Sequence, residues 1–136
     1  MNEDVKKLFA EYEALFDALD VAGQARLFAD TFISAGPRGA IAQSKQEFLK
    51  LAEQAAAFYQ SIGQTSAKIL SLEELPISDH YSLVHVHWGV TFQKKGEKLV
   101  EFDVSYLVKR VGEKAEIILF ITHQDEQQAM KELHLK

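Results

Sequence analysis

The sequence predicts an α+β domain in which helices pack on one face of an antiparallel sheet. Three observations support this prediction: apolar residues of the first half recur at helical spacing, those of the second half alternate as in strands, and the two kinds of segment are not interleaved. The 136 residues fit one domain of common size. We therefore expect a single domain over residues 1–136.

The N-terminal twenty residues are predicted to form an amphipathic helix. Apolar residues recur at steps of three and four from Val5 to Leu19, which places them on one side of the helix. Charged residues, among them Glu13 and Asp17, take the opposite side. Asp20 can accept from the free N–H groups of a second short helix. Two short helices in series are expected.

The segment 31–43 has two interpretations. Gly36, Pro37 and Gly39 stand between apolar residues, so the segment is either a tight reversal between two short strands or an irregular loop. Ser44 and Glu47 then form a capping-box pattern. This pattern predicts the start of a long helix that faces the core and ends at Gly63.

The second half of the chain is predicted to form a meander of three or four strands. The segments 65–75, 80–92, 98–108 and 115–122 are separated by turn signals, and such spacing favours antiparallel pairing. Asp125 is expected to begin a last short helix.

Alternation along the second of these strands separates two faces. Even positions such as Val86 and Trp88 are apolar, whereas His85 and His87 occupy odd positions. Exposing the even row would forfeit on the order of 15 kcal/mol, so the even face must meet the helices. Leu83, Leu99 and Leu107 lie among the polar groups of the odd face, a mixture typical of a subunit interface.

A hairpin reversal near Gly96 keeps even positions of adjacent strands on the same face. Trp88 is then expected near Phe102 or Val104. His87 is expected near Asp103 or Ser105.

Composition excludes several classes of function. Cysteine is absent, so any metal would need histidine and carboxylate ligands, and no disulfide can form. The net charge of −5 comes with interleaved acids and bases and leaves no basic stripe for nucleic acid. The acidic N-terminus has no continuous apolar core of the kind that a signal peptide or membrane span requires. We expect a cytoplasmic protein that binds neither nucleic acid nor membranes.

Several short motifs occur in a characteristic order: Tyr12-Glu-Ala-Leu15, Asp20, Leu27-Phe28-Ala29-Asp30 and Pro37, followed by a capped helix and long strands. Nearly the whole chain thereby resembles the nuclear transport factor 2-like superfamily, which includes the SnoaL-like cyclases and ketosteroid isomerase. The resemblance implies a cystatin-like cone, in which a strongly curved sheet wraps a long helix around a largely apolar pocket. It also implies a homodimer formed through the outer sheet face.

The resemblance to ketosteroid isomerase places residues of its site on this sequence. Tyr12 matches the oxyanion tyrosine, and the second oxyanion acid maps near Asp103 or Ser105. The general-base aspartate would fall at or beside Gly36, where no carboxylate is present. This departure argues against isomerase chemistry of that type.

The histidines have both functional and structural interpretations. His85 and His87 lie about 6.5 Å apart at Cα, close enough to chelate a metal, yet an interface or surface pair is favoured and no metal is predicted. His87 with Asp103 forms either an acid–base pair or a structural hydrogen bond. His123 either borders the pocket mouth or lies at the start of the last helix. The catalytic candidates are Tyr12, His87, Asp103 and His123.

The sequence predicts binding of a small hydrophobic or aromatic molecule, with isomerase-, cyclase- or hydratase-like acid–base chemistry as an extension. The alternative is a non-enzymatic dimeric association or ligand-carrier module that uses the odd sheet face. No cofactor is expected. The predicted pocket lining consists of aromatic residues with apolar bodies: Tyr12, Phe16, Phe32, Phe58, Trp88, Phe102, Tyr106 and Phe120.

Overall fold

Three helices and one six-stranded sheet make up the part of the chain described by the computed structural model, residues 2–93, 96–112 and 114–124. The last helix predicted from Asp125 lies outside the described residues. In chain order the elements are α1 (Glu3–Asp17), α2 (Val21–Ala25), β1 (Phe28–Gly36), β2 (Gly39–Ser44), α3 (Lys45–Ser61), β3 (Gln64–Pro76), β4 (Tyr81–Gln93), β5 (Glu97–Val111) and β6 (Lys114–Thr122).

The sheet has the strand order β2-β1-β6-β5-β4-β3. The predicted meander from β3 to β6 is confirmed, and its neighbouring strands are antiparallel. The sheet as a whole is mixed, because β1 runs parallel to β6. Local patterns could not predict this pairing, since it joins strands that are far apart in the sequence.

The first alternative for 31–43, a reversal between two strands, is the one that forms. Strands β1 and β2 pair antiparallel from Thr31 opposite Ser44 to Gly36 opposite Gly39. Gly39 has a φ of 129°, which disfavours any residue with a side chain. This hairpin extends the sheet beyond β6 and, as described below, forms a wall of the cavity.

Both predicted helix caps are confirmed. Asp20 Oδ1 accepts from the Gly23 N–H at 2.9 Å. Ser44 and Glu47 form the reciprocal capping box, in which each side chain accepts from the other residue's backbone N–H. The start of α3 is thereby fixed directly at the end of β2.

Glu13 and Asp17 have a role that the helical pattern did not indicate. Glu13 Oε2 accepts from the Ile69 N–H at 2.6 Å, and Asp17 Oδ1 accepts from the Ala67 N–H at 2.8 Å. Strand β3 is an edge of the sheet, so these N–H groups have no neighbouring strand to pair with. One turn of α1 therefore satisfies the free edge and blocks further strand pairing there.

The predicted separation of the two sheet faces is confirmed in β4 and β5. Trp88 lies opposite Phe102, and His87 lies opposite Asp103, in a ladder that runs without interruption from Tyr81 to Gln93. The even residues of β4 are buried, and Trp88 is 0% exposed. We call the helix-covered face the inner face and the opposite one the outer face.

Strand β3 has a bulge opposite Trp88 and His87 of β4. The β3–β4 register shifts between Ile69 and Ser71, so Leu70 has no direct partner in the ladder. A Cβ at Gly89 would lie 2.8 Å from Leu70 Cδ1, which shows that the Leu70 side chain covers this glycine. The bulge leaves the phase of β4 unchanged, so the histidines stay on the outer face.

Among the described helices, none combines the length and the apolar character that crossing a membrane requires.

Candidate functional site

A cavity of about 650 Å³ lies between the inner face of the sheet and helices α1 and α3. The β1–β2 hairpin and the end of β6 complete its walls. The helices and the α1–α2 connection contribute Tyr12, Phe16, Leu19, Val21, Gln24, Phe48, Leu51, Ala52, Ala55, Ala56 and Tyr59. The sheet, the hairpin and the segment after β6 contribute residues 34–41, Gln43, Trp88, Phe102, Val104, Tyr106, Phe120, Thr122 and Gln124.

The side chains of α3 explain why this space stays open. Ala52, Ala55 and Ala56 all line the cavity. An alanine side chain ends at Cβ, so these positions leave the volume between the helix and the sheet unfilled. Larger residues, Phe48 and Tyr59, lie at the two ends of the row and support the helix on the core.

The floor of the cavity is a cluster of aromatic rings around Trp88. The Trp88 indole N–H donates to Tyr106 Oη at 3.0 Å in a buried hydrogen bond. Tyr12 packs against both rings, with centroid distances of 5.5 Å to Trp88 and 5.7 Å to Tyr106. Phe16 contacts Trp88 edge-on at 5.1 Å. Trp88 and Tyr106 are buried beneath Tyr12 and Phe16, whose partly exposed rings offer the flat apolar surface of this floor, a surface that suits an aromatic ligand.

Six of the eight residues predicted for the pocket line this cavity: Tyr12, Phe16, Trp88, Phe102, Tyr106 and Phe120. Their contact with a ligand stays a prediction. The other two are placed elsewhere. Phe32 is buried against Phe48 and Phe120, with ring centroids at 5.2 and 6.2 Å, so it lies behind the wall. Phe58 lies about 100° around α3 from Tyr59 and packs against its ring beside the lining.

Polar groups of the lining come mainly from elements whose role was not predicted. Gln43 of β2 is 6% exposed and lines the cavity, and its side chain makes no hydrogen bond within the described part of the chain. Gln24 of α2 is also buried, and its Nε2 donates to the Leu15 carbonyl at 3.4 Å. Arg38 at the hairpin turn also lines the cavity. The row of small residues in α3, Ala52, Ala55 and Ala56, is the sequence signal that could have indicated an open space facing this helix.

The outer face carries a network centred on Asp103. Asp103 Oδ1 lies 2.8 Å from His87 Nδ1 and 3.1 Å from His85 Nε2. The other ring nitrogen of His87, Nε2, lies 3.0 Å from Glu101 Oε1. Only an imidazolium can donate from both ring nitrogens at once. The geometry therefore favours the protonated form of His87.

The pKa shifts of this network agree with that geometry. The hydrogen bond to Glu101, followed by the one to Asp103, raises the pKa of His87 above its ordinary value of 6.5. The hydrogen bond from His87 is the main cause that lowers the pKa of Asp103, with further contributions from Gln124 and His85. The two residues stabilise each other's charged forms.

Gln124 and His123 connect this network to the end of β6. Gln124 donates to Asp103 Oδ2 at 3.1 Å, accepts from the Asp103 N–H at 2.8 Å, and also lines the cavity. His123 Nε2 lies 2.7 Å from Ser105 Oγ, and its ring packs edge-on against His85 at 5.1 Å. The network is therefore continuous from the middle of the outer face to the rim of the cavity.

The four catalytic candidates do not form one site. Tyr12 lines the cavity, whereas His87, Asp103 and His123 belong to the outer-face network. Within the described ranges, no group of three or more histidines and carboxylates is arranged to hold a metal ion. Among the described lining residues there is no carboxylate and no imidazole.

Solved structures with the same fold carry a variety of names. A ketosteroid isomerase-like protein from Erwinia carotovora atroseptica is 15% identical, with a TM-score of 0.67 over 90% of this chain and 97% of the other. A putative scytalone dehydratase from Novosphingobium aromaticivorans is 12% identical, with a TM-score of 0.72 over 88% and 80%. A putative calcium/calmodulin-dependent protein kinase II association domain from Xanthomonas campestris is 13% identical, with a TM-score of 0.68 over 90% and 86%.

These likenesses, with those to structures described as cystatin-like, confirm the predicted cone fold. The resemblance to the nuclear transport factor 2-like superfamily is confirmed by the match to a family model. No curated protein matches the chain. The model of one family, described as NTF2-like protein (DUF6841), matches residues 2–125. This match spans most of the sequence, and the chain therefore belongs to the NTF2-like family DUF6841.

Proposed function

We propose that the chain binds a small hydrophobic or aromatic molecule in the cavity. The observation that carries this proposal is the volume of about 650 Å³ over a floor of aromatic rings. Sites for small molecules commonly enclose about 300–1,000 Å³ and combine apolar walls with a few polar groups. Tyr12 and Phe16 supply aromatic surface over the buried Trp88, and Gln24 and Gln43 supply polar groups.

Binding is the function that the lining supports best. Two of the similar structures are named for isomerase-like and dehydratase chemistry, and that chemistry needs groups that transfer protons. The described lining residues offer tyrosine hydroxyls but no carboxylate or imidazole. We therefore propose a ligand-binding or carrier role, in which acid–base chemistry on the ligand would depend on Tyr12 and Tyr106.

A fluorescence titration tests the proposal, because Trp88 is the one tryptophan of the chain and lies in the cavity floor. Phenylnaphthylamine, an uncharged aromatic probe, should bind at micromolar concentration and accept energy from Trp88. Ala52→Phe should fill the cavity and weaken binding about tenfold or more. Ala57→Phe, on the exposed side of the same helix, is the matched control. Absence of binding, or equal binding by the Ala52 variant, would contradict the proposal.

A second candidate function is association of two copies through the outer face. Large apolar side chains remain uncovered there in one copy: Leu99 is 57% exposed and Ile121 is 41% exposed. Leu83 and Leu107 are half-buried on the same face and pair with Leu75 and Leu119. Burying such a patch against its own copy would form a symmetric interface.

Sedimentation velocity tests this association. The unmodified chain should sediment as a dimer at micromolar concentration, and Ile121→Lys should shift it towards monomer. Ile77→Lys is the control, because Ile77 is also an exposed isoleucine but follows the end of β3, outside the sheet. A monomeric wild-type chain would rule the association out.

A further inference from the structure

We propose that the molecule bound in the cavity is an amphipathic anion, with an elongated apolar body and one terminal acidic group. This inference rests on the proposed ligand-binding function and specifies its ligand class. It is carried by the distribution of charge around the cavity. Among the described lining residues, Arg38 is the only one with a formal charge.

Arg38 lies where a ligand's polar end would emerge. It occupies the turn between β1 and β2, is solvent-exposed and lines the cavity. Arg38 also has an interaction within the chain. Since a guanidinium carries several N–H donors in a planar fork, it can keep that interaction and still bind a carboxylate or sulfonate.

The cavity face of β2 indicates the length of the ligand. Gln43 and Ile41 lie on this face at alternate positions, and Arg38 follows at the turn. At about 3.4 Å per residue, Arg38 Cα is roughly 15 Å from Gln43 Cα along the strand. Ile41 lies between them and is 62% exposed, so it offers apolar contact to a molecule that spans this distance.

Gln43 marks the inner end of this path. Gln43 is 6% exposed and lines the cavity, and its side-chain amide forms no hydrogen bond with the described part of the chain. Its oxygen and nitrogen are not fully buried, so water in the cavity hydrates them until a ligand group takes its place. A hydroxyl or carbonyl on the ligand body would be that group, whereas the acidic group at the other end would meet Arg38.

Local charge, rather than the charge of the whole chain, would select this ligand. The net charge of −5 repels anions at long range. Selectivity for an anion therefore has to come from direct contact between its acidic group and Arg38. Salt weakens such a contact but does not abolish it when the two charged groups are partly shielded from water.

Two probes with the same aromatic skeleton test the inference. Anilinonaphthalene sulfonate carries an acidic group, and phenylnaphthylamine is its uncharged counterpart. The sulfonate should bind more tightly, and Arg38→Gln should weaken it about tenfold while changing the neutral probe less than about twofold. Arg38→Lys should retain part of the preference, because it keeps the charge but loses the fork. Arg26→Gln, which removes an exposed arginine outside the lining, is the control.

The outcomes separate this inference from the proposed function. If neither probe binds, ligand binding itself fails. If both bind but Arg38→Gln weakens them equally or not at all, the cavity binds apolar molecules without selecting an anion, and the inference is overturned. Loss of binding in Ala52→Phe identifies a probe that is in the cavity rather than on the outer face, because Ala52 lines the cavity.

Discussion

Adjacent residues of β4 belong to two surfaces with opposite properties. Trp88, on the inner face, is fully buried and has its single polar atom paired with Tyr106. His87, on the outer face, is partly exposed and lies between two carboxylates. The period of two in a strand is sufficient to place an apolar floor and an ionic network back to back.

This comparison shows that the two surfaces contribute to the fold in different ways. The inner face is stabilised by removal of apolar area from water, which does not depend on pH. The outer face is stabilised by charge-assisted hydrogen bonds, which depend on protonation and are weakened where water has access. Substitutions of neighbouring residues should therefore differ in magnitude and in their response to pH.

The largest effect is expected from Trp88→Ala. It would remove the largest fully buried side chain and enlarge the existing cavity. The free energy of unfolding should fall by about 3–5 kcal/mol. Urea denaturation followed by circular dichroism measures this change, since the variant lacks tryptophan fluorescence. A decrease in the free energy of unfolding of less than about 1 kcal/mol would show that packing of Trp88 contributes little to the stability of the core.

A smaller effect is expected from Tyr106→Phe, which keeps the ring and removes the acceptor of the Trp88 indole N–H. A buried donor without a partner costs about 1–3 kcal/mol, and water that enters the cavity would bring the loss to the low end. Tyr81→Phe is the control, because Tyr81 lies at the start of β4, outside the cavity lining. Equal stability of the two variants would mean that the indole bond adds nothing to the inner face.

Much of this arrangement could be predicted because it depends on local patterns. The helix caps at Asp20 and Ser44 follow from residue type and spacing, and the faces of β4 and β5 follow from alternation. The opposition of His87 and Asp103 was one of two registers that the turn allowed. Features that repeat over a few residues were therefore predictable.

The remaining features depend on contacts between distant segments. The parallel pairing of β1 with β6 brings the hairpin to the cavity, so Arg38 and Gln43 became lining residues without any local signal. Glu13 follows the pattern of a solvent-facing residue, yet it pairs with an edge strand more than fifty residues away. Phe32 has the pattern of a pocket residue but is covered by Phe48, whose position depends on how α3 packs.

The smallest and most specific effect is expected from His87→Gln, which removes the positive charge of His87 from the outer face and leaves the residues of the inner face unchanged. The raised pKa of His87 means that its contribution to stability is fully present below its ordinary value of 6.5. The contribution is lost as pH rises through the raised folded-state pKa. The lowered pKa of Asp103 keeps its carboxylate charged down to a pH below its ordinary value of 3.8.

Urea midpoints measured at about pH 5.5 and about pH 9 therefore test the hydrogen bonds of His87. Of His87 and Asp103, only His87 changes its charge between these two pH values. The wild-type chain should exceed His87→Gln in stability at the lower pH, and the difference should shrink at the higher pH. His80→Gln is the matched control, since the His80 side chain makes no hydrogen bond within the described residues. A difference that is independent of pH would mean that His87 acts by packing, as Trp88 does on the opposite face, rather than by charge.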